Sequence, residues 1–273
     1  MKKIFELINQ LCNSVLIVAS GNIKRGHNKG RMSFSKVVAF TLAETLIVMG
    51  VIGIVSALTL PNLNSSTGEK EKIAKVKKIY QNLEDALGRA QSVYGPIDEW
   101  FLNDANATAY NQRFAERMTE FMKISKNCGT SGLGCFSSGK EKSLSGEQDS
   151  NTGIVALGYP MFLLADGTAV NFNISSKDCN SSRNDIEDVC GGMYVDIDGS
   201  KGANTRGKDL FLFGVTKSGI YPEGLGITGN FSVDGFFHSA WIIKHDNMDY
   251  LKTTKGKCSN GKVLDWTTNT TCK

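Results

Sequence analysis

The sequence predicts an α+β fold, in which a long helical N-terminal part precedes a domain of short antiparallel strands. Two observations predict the helical part. An uncharged, mostly apolar run extends from Thr45 to Leu60, and apolar residues then recur at helical spacing from Glu69 to Tyr94. The third observation predicts the strands, because short apolar runs beyond Ser125 alternate with turns rich in glycine, asparagine and serine.

The first predicted element is a membrane-length helix that carries a single carboxylate. As a helix, Phe40 to Leu60 would be about 30 Å long, which matches the hydrocarbon core of a bilayer. An ionisable group is costly to bury there, so Glu44 should stay protonated or meet a positive charge from another subunit. A plain single-pass anchor or an uncleaved signal sequence is the simpler interpretation of the apolar run, but it gives Glu44 no role.

The run Ala39-Phe40-Thr41-Leu42-Ala43-Glu44, with the apolar stretch behind it, resembles the N-terminal signature of the type IV pilin and type II secretion pseudopilin family. The resemblance implies that a prepilin peptidase cleaves between Ala39 and Phe40 and N-methylates Phe40. Glu44 then becomes the fifth mature residue, the position of the family's characteristic glutamate, and would act in subunit assembly.

Further positions agree with the same family. Gly53 and Pro61 fall where the family has its mid-helix glycine and its helix-breaking proline. The sequence departs from the family at Ala39, where glycine is usual, and at Ala43, where a larger aliphatic residue is common. The resemblance implies one long N-terminal α-helix, half transmembrane and half packed on an antiparallel β-sheet.

The resemblance divides the chain into a prepilin leader (residues 1–39), a transmembrane assembly helix (residues 40–61) and an exported globular domain (residues 62–273). The leader carries seven lysines and arginines and a single acidic residue, Glu6. By the positive-inside rule, the N-terminal end of the helix is therefore expected on the cytoplasmic side of the membrane. The globular domain is then expected outside the inner membrane, in the periplasm or beyond. Met32 begins an ordinary short leader and is an alternative translation start.

Two amphipathic helices are expected after the apolar run. Pro61 and the polar residues up to Gly68 mark the joint between the apolar helix and the first amphipathic one. Its stripe of apolar residues is Ile73, Val76, Tyr80, Leu83, Leu87, Ala90 and Tyr94. A second helix is expected from Ala107 to Ile124, with Phe114, Met118, Phe121 and Met122 facing the core.

The strands are expected to pair antiparallel, because the connections between them are short. Asp166-Gly167 is a strong hairpin turn between two of them. The runs expected to form strands are 154–157, 161–164, 168–174, 193–197, 210–215 and 236–244.

Cysteine usage favours an exported, disulfide-bonded domain over a cytosolic one with free thiols. One of the seven cysteines, Cys12, lies in the leader. The six that remain are Cys128, Cys135, Cys179, Cys190, Cys258 and Cys272. Pairing between sequence neighbours is the simplest arrangement, although fifteen connectivities are possible. Zinc is the weaker interpretation, because no cysteine or histidine pair has the usual ligand spacing.

A calcium loop is a further hypothesis. Asp196, Asp198 and Asp209 supply carboxylates around a glycine-containing loop, and hard oxygen ligands in a flexible loop suit Ca²⁺. Some pseudopilins bind calcium in a comparable position. Lys201 and Arg206 bring positive charge into the same loop, so a solvated Asx-Gly turn is the favoured interpretation. No other cofactor is expected.

Two functions from different classes remain open. The favoured one is a structural subunit, minor or specialised, that assembles into a type II secretion pseudopilus or a type IV pilus-like filament. Its expected partners are the prepilin peptidase, other pilin or pseudopilin subunits, and an inner-membrane assembly platform with its ATPase. The alternative is a membrane-anchored exported binding module that uses the signature only for processing.

Other classes of function lack support in the sequence. Nucleotide-binding, serine-hydrolase and zinc-protease motifs are missing from the sequence, and an enzyme is not expected. The formal net charge of +4 includes the basic leader, so bulk charge does not indicate nucleic-acid binding.

Overall fold

The computed structural model describes residues 42–137, 141–146, 158–229 and 234–273. The expected strand at residues 154–157 lies outside these ranges. The chain divides into one unit that ends at Val55 and a second unit from Ser56 to Lys273. The second unit holds the sheet, the disulfides and most of the buried residues.

Helix α1 runs from Leu42 to Tyr94, a length of 53 residues. The predicted helix break at Pro61 is wrong, because the helix continues through this residue. A proline removes one backbone donor, and the hydrogen bonds of the turns on either side can maintain a long helix around that loss. The amphipathic stripe is confirmed: Val76, Leu83 and Ala90 are completely buried.

Helix α2 runs from Ala107 to Thr119, and Asn106 is its N-cap. The Asn106 side chain accepts a hydrogen bond from the Ala109 amide at 3.0 Å. This bond satisfies one of the free donors of the first helical turn. The helix is shorter than expected, because Ile124 already belongs to the first strand. A short 3₁₀ turn, Ile97–Glu99, lies between α1 and α2.

The sheet has seven strands, and every pair of neighbours is antiparallel, as the short connections predicted. The order of the main path is β1-β2-β3-β5-β6-β7, and β4 pairs with β5 at one end. The strands are β1 (Ile124–Asn127), β2 (Met161–Leu164), β3 (Ala169–Ile174), β4 (Ser181–Arg183), β5 (Ile186–Asp196), β6 (Leu210–Thr216) and β7 (Ile220–Pro222).

The main core lies between the two helices and one face of the sheet. Tyr80 of α1 stacks on Phe213 of β6, with ring centroids 5.7 Å apart. Phe114 of α2 meets Phe172 of β3 edge to face at 5.3 Å. Aromatic pairs of this kind add to the stability gained from burying their apolar area.

The predicted strand at residues 236–244 is wrong, because most of this run forms helix α3, His238–His245. Trp241 and Ile242 are both fully buried, so the run faces the core but with helical geometry. Short apolar runs do not distinguish a buried strand from a buried helix by periodicity. A 3₁₀ turn, Asp249–Lys252, follows α3.

The predicted fold class is also wrong as stated. It required a pilin-like helix with a transmembrane half, whereas the structure is a mixed α/β domain built on a seven-stranded antiparallel sheet. Among the residues that the structure describes, no helix combines the length and the apolar character needed to cross a membrane.

The disulfides are confirmed, and they join sequence neighbours. The pairs are Cys128–Cys135, Cys179–Cys190 and Cys258–Cys272. A disulfide stabilises the folded chain mainly by restricting the unfolded one. The third bridge ties the C-terminal segment to the domain, and the Cys272 amide donates to Asp249 at 2.9 Å as a second tie.

Candidate functional site

The residues expected to be processed, Ala39 and Phe40, lie outside the described residues. Glu44 lies in the first described turn of α1. Glu44 therefore lies on a helix, directly before an apolar segment.

That segment is an exposed apolar surface, which we call the apolar collar. Its eight large apolar side chains are each 53–66% exposed: Leu46, Ile47, Val48, Met49, Val51, Ile52, Ile54 and Val55. Residues at 3.6 per turn over this span cover every side of the helix. Helices that are apolar all round are normally buried against other apolar material.

Two glycines interrupt the collar at Gly50 and Gly53. An added Cβ at either position would meet no atom within 4 Å. The backbone is therefore open at these positions, and another helix could approach it closely. The collar is suited to packing against a second apolar surface.

The acidic loop follows Asp196, the last residue of β5, whose carboxyl group is completely inaccessible to solvent. Its Oδ1 accepts hydrogen bonds from the amides of Asp198 at 3.0 Å and Gly199 at 3.1 Å. Its Oδ2 is buried with no hydrogen-bond partner in the described part of the chain. Burial, reinforced by the Asp198 carboxyl, raises the pKa of Asp196 to about 9.

The Asp209 carboxylate, also in the acidic loop, has a different hydrogen-bond partner from that of Asp196. It accepts a hydrogen bond from the Thr205 amide, and burial raises its pKa. Among the described residues, no group of three acidic, histidine or cysteine side chains is arranged to hold a metal ion. The structure therefore gives no support to the calcium hypothesis for Asp196, Asp198 and Asp209. The Asp196 hydrogen bonds are those of an Asx turn, but the residue is buried and not solvated as expected.

Replacing Asp196 with asparagine is expected to raise the free energy of unfolding at pH 7 by about 1–3 kcal/mol, because a buried group is no longer driven to ionise. The native pKa is raised to about 9 from the ordinary 3.8. The native state therefore binds the carboxyl proton more tightly than the unfolded chain does. This difference adds to the free energy of unfolding below pH 4, and the addition is lost as the pH rises towards 9. Urea unfolding between pH 5 and 9 would show a steeper decline for the wild type than for Asp196→Asn. Equal slopes would contradict this account, and the exposed-carboxylate variant Asp185→Asn is the control.

A second cluster, which no sequence pattern indicated, lies on the opposite side of the sheet from α1. There Arg183 of β4 pairs with Glu223, which follows β7, at 2.6 Å. The two residues are 40 positions apart, so no local motif could have identified them. Only the antiparallel order of the strands brings them together.

Comparisons with known proteins do not assign the chain to a family, since no family model, no curated protein and no solved structure matches it.

Proposed function

We propose that this chain is a structural subunit of a filament of the type II secretion pseudopilus or type IV pilus-like class, with a minor or specialised place in it. The observation that carries the proposal is the apolar collar directly after Glu44. A collar exposed on every side cannot be covered by one flat partner, but it is covered when the helix is surrounded by other helices. A filament that packs such helices together provides these surroundings.

Burial supplies the energy for assembly. Each square ångström of apolar surface removed from water stabilises the assembly by about 25 cal/mol. Eight large apolar side chains that are more than half exposed offer a substantial area of this kind. The burial is non-directional, however, and does not determine how far one helix is shifted along the next.

Glu44 is expected to set the axial position of one helix relative to the next. A carboxylate enclosed by apolar side chains is costly unless a positive group pairs with it. After cleavage between Ala39 and Phe40, the new amino group of Phe40 is such a positive group. We expect it to pair with Glu44 of a neighbouring subunit, which fixes the axial position of each helix.

The proposed partners follow from this role. A prepilin peptidase cleaves and N-methylates the chain, other pilin or pseudopilin subunits surround the collar, and an inner-membrane platform with a cytoplasmic ATPase drives assembly. Three disulfides suit a domain on the oxidising, exported side of the inner membrane.

The mature protein is expected to begin with N-methyl-Phe40. Intact-mass measurement and sequencing of the N-terminal peptide, on protein taken from the cell envelope, test this directly. In cells that lack the prepilin peptidase, the leader should stay attached. A mature chain that begins after Ala57 or Pro61, as ordinary signal peptidase would leave it, would contradict the proposed function.

A further inference from the structure

The face of the sheet turned away from α1 carries a groove that the filament proposal does not use. Phe213 points towards α1, where it stacks on Tyr80. Its neighbours along β6, Leu212 and Gly214, therefore point to the opposite face, because side chains alternate along a strand. Tyr194 of β5 pairs with Leu212 and shares that face.

A cavity of about 330 Å³ lies over this part of the sheet. The volume falls within the range of small-molecule sites, roughly 300–1,000 Å³. Its walls combine three partly buried aromatic rings, Tyr194, Phe236 and Phe237, with polar side chains of Arg183, Asn184 and Glu223.

The polar end of the groove is anchored by Glu223, which is only 1% exposed. Its carboxylate accepts hydrogen bonds from Arg183 Nη1 at 2.6 Å and from the Tyr221 hydroxyl at 3.3 Å. The Glu223 backbone is also hydrogen-bonded: the Glu223 amide donates to the Leu212 carbonyl, and the Glu223 carbonyl accepts from the Ala240 amide. The carboxylate is thus held in one orientation beside a guanidinium that remains 44% exposed.

The aromatic end is positioned by a second ion pair. The Arg206 guanidinium lies 3.8 Å from the centre of the Phe236 ring, and it is bonded to Glu141 at 3.0 Å. Arg206 covers the ring and limits its movement. The Phe236 ring and Phe237 both line the groove.

We propose that this groove binds a neutral saccharide. The Arg183–Glu223 pair is neutral as a unit. The half-exposed Arg183 guanidinium offers donors to the groove, and the exposed Asn184 amide beside it offers both a donor and an acceptor. Neighbouring hydroxyl groups of a sugar ring can satisfy donors and acceptors together, while the C–H faces of the ring pack on aromatic side chains.

Other ligand classes fit less well. An anion would have to compete with Glu223 for Arg183, and a cation would have to compete with Arg183 for Glu223. A purely apolar ligand would remove water from the half-exposed Arg183 guanidinium without replacing its hydrogen bonds, which is costly. The proposal does not depend on filament assembly, and a subunit that never assembles would still bind the sugar.

The test uses the full chain with cellotetraose, maltotetraose and chitotetraose as neutral probes, and a tetragalacturonate as the anionic probe. Saturation-transfer NMR and calorimetric titration measure the binding. We expect at least one neutral tetrasaccharide to bind, and the tetragalacturonate to bind at least about tenfold more weakly.

Three variants locate the site. Asn184 has a left-handed backbone (φ 47°), which glycine accepts without strain, so Asn184→Gly removes only the amide. Asn184→Gly and Phe236→Ala should each weaken sugar binding about tenfold. The matched control is Asp246→Gly, because Asp246 also has a left-handed backbone (φ 54°) but follows α3 and does not line the groove.

Three results would overturn the proposal: no binding of any neutral probe at millimolar concentration, stronger binding of the tetragalacturonate, or unchanged affinity in Asn184→Gly with its fold intact by circular dichroism. None of these results would affect the expected N-terminus of the mature chain, so failure of the two proposals can be told apart.

Discussion

Under the filament proposal, replacing Glu44 with alanine is expected to leave the disulfide-bonded domain folded and the leader cleaved, and to remove the subunit from filaments. Folding of the domain depends on the core between the helices and the sheet, which the collar does not join. Without the carboxylate, the amino group of Phe40 in a neighbouring subunit would be left unpaired among apolar side chains. Losing one partner of a buried ion pair costs about 3–5 kcal/mol, which is a loss of 100-fold or more in incorporation.

Two companion variants sharpen this test. Glu71→Ala removes an exposed carboxylate from the same helix, and it should assemble like the wild type. Glu44→Gln keeps the shape and a hydrogen-bonding group without the charge, and it should remain defective. The amount of subunit in sheared filaments, relative to the amount in the envelope, measures assembly. Normal incorporation of Glu44→Ala would refute the ion pair and favour the anchored binding module.

Replacing Phe213 with alanine is expected to destabilise the domain by about 3–5 kcal/mol. Phe213 is completely buried in β6, between β5 and β7, and its ring stacks on Tyr80 of α1. The substitution removes a large apolar group and leaves a cavity where the helix meets the sheet. Urea unfolding followed by circular dichroism measures the effect.

The control for this substitution is Val93→Ala on α1. Val93 is 62% exposed, so its replacement should change the free energy of unfolding by less than about 0.5 kcal/mol. Similar losses for the two variants would show that the contact between α1 and the sheet is not a main source of stability.

The parts of the fold that the sequence predicted correctly depend on local patterns. The stripe from Ile73 to Ala90 repeats at the helical period, and this repeat selects one face to bury. The turn at Asp166-Gly167 needs a residue with positive φ, which Gly167 provides at 86°. Each of these features can be seen in a window of a few residues.

The errors arose where local patterns were ambiguous. Residues 236–244 are apolar over a short length, and the burial of Trp241 within a helix depends on its packing against Trp266, with ring centroids 5.2 Å apart. Pro61 was expected to end a helix, but α1 continues through it. A proline inside a helix removes one backbone hydrogen bond and can be accommodated by a kink, so its presence alone does not mark a helix end.

The candidate sites, too, could be predicted only where their residues are neighbours in the sequence. The collar could be recognised from composition, because its residues are consecutive. The groove could not, since Arg183, Tyr194 and Glu223 meet only through the strand order. The spacing of acidic residues in the loop suggested a metal site, but spacing does not show that Asp196 is buried and bonded to backbone amides.

The most direct test of the filament proposal is site-specific photo-crosslinking from the collar in living cells. A crosslinker at Ile52, which is 54% exposed, should give products that contain a second copy of this chain or another N-methylated subunit. A crosslinker at Val93, 62% exposed on the same helix, serves as the comparison and should give fewer such products. The account predicts subunit-to-subunit products at Ile52 that disappear in Glu44→Ala. Products at Ile52 that never contain another subunit would contradict it.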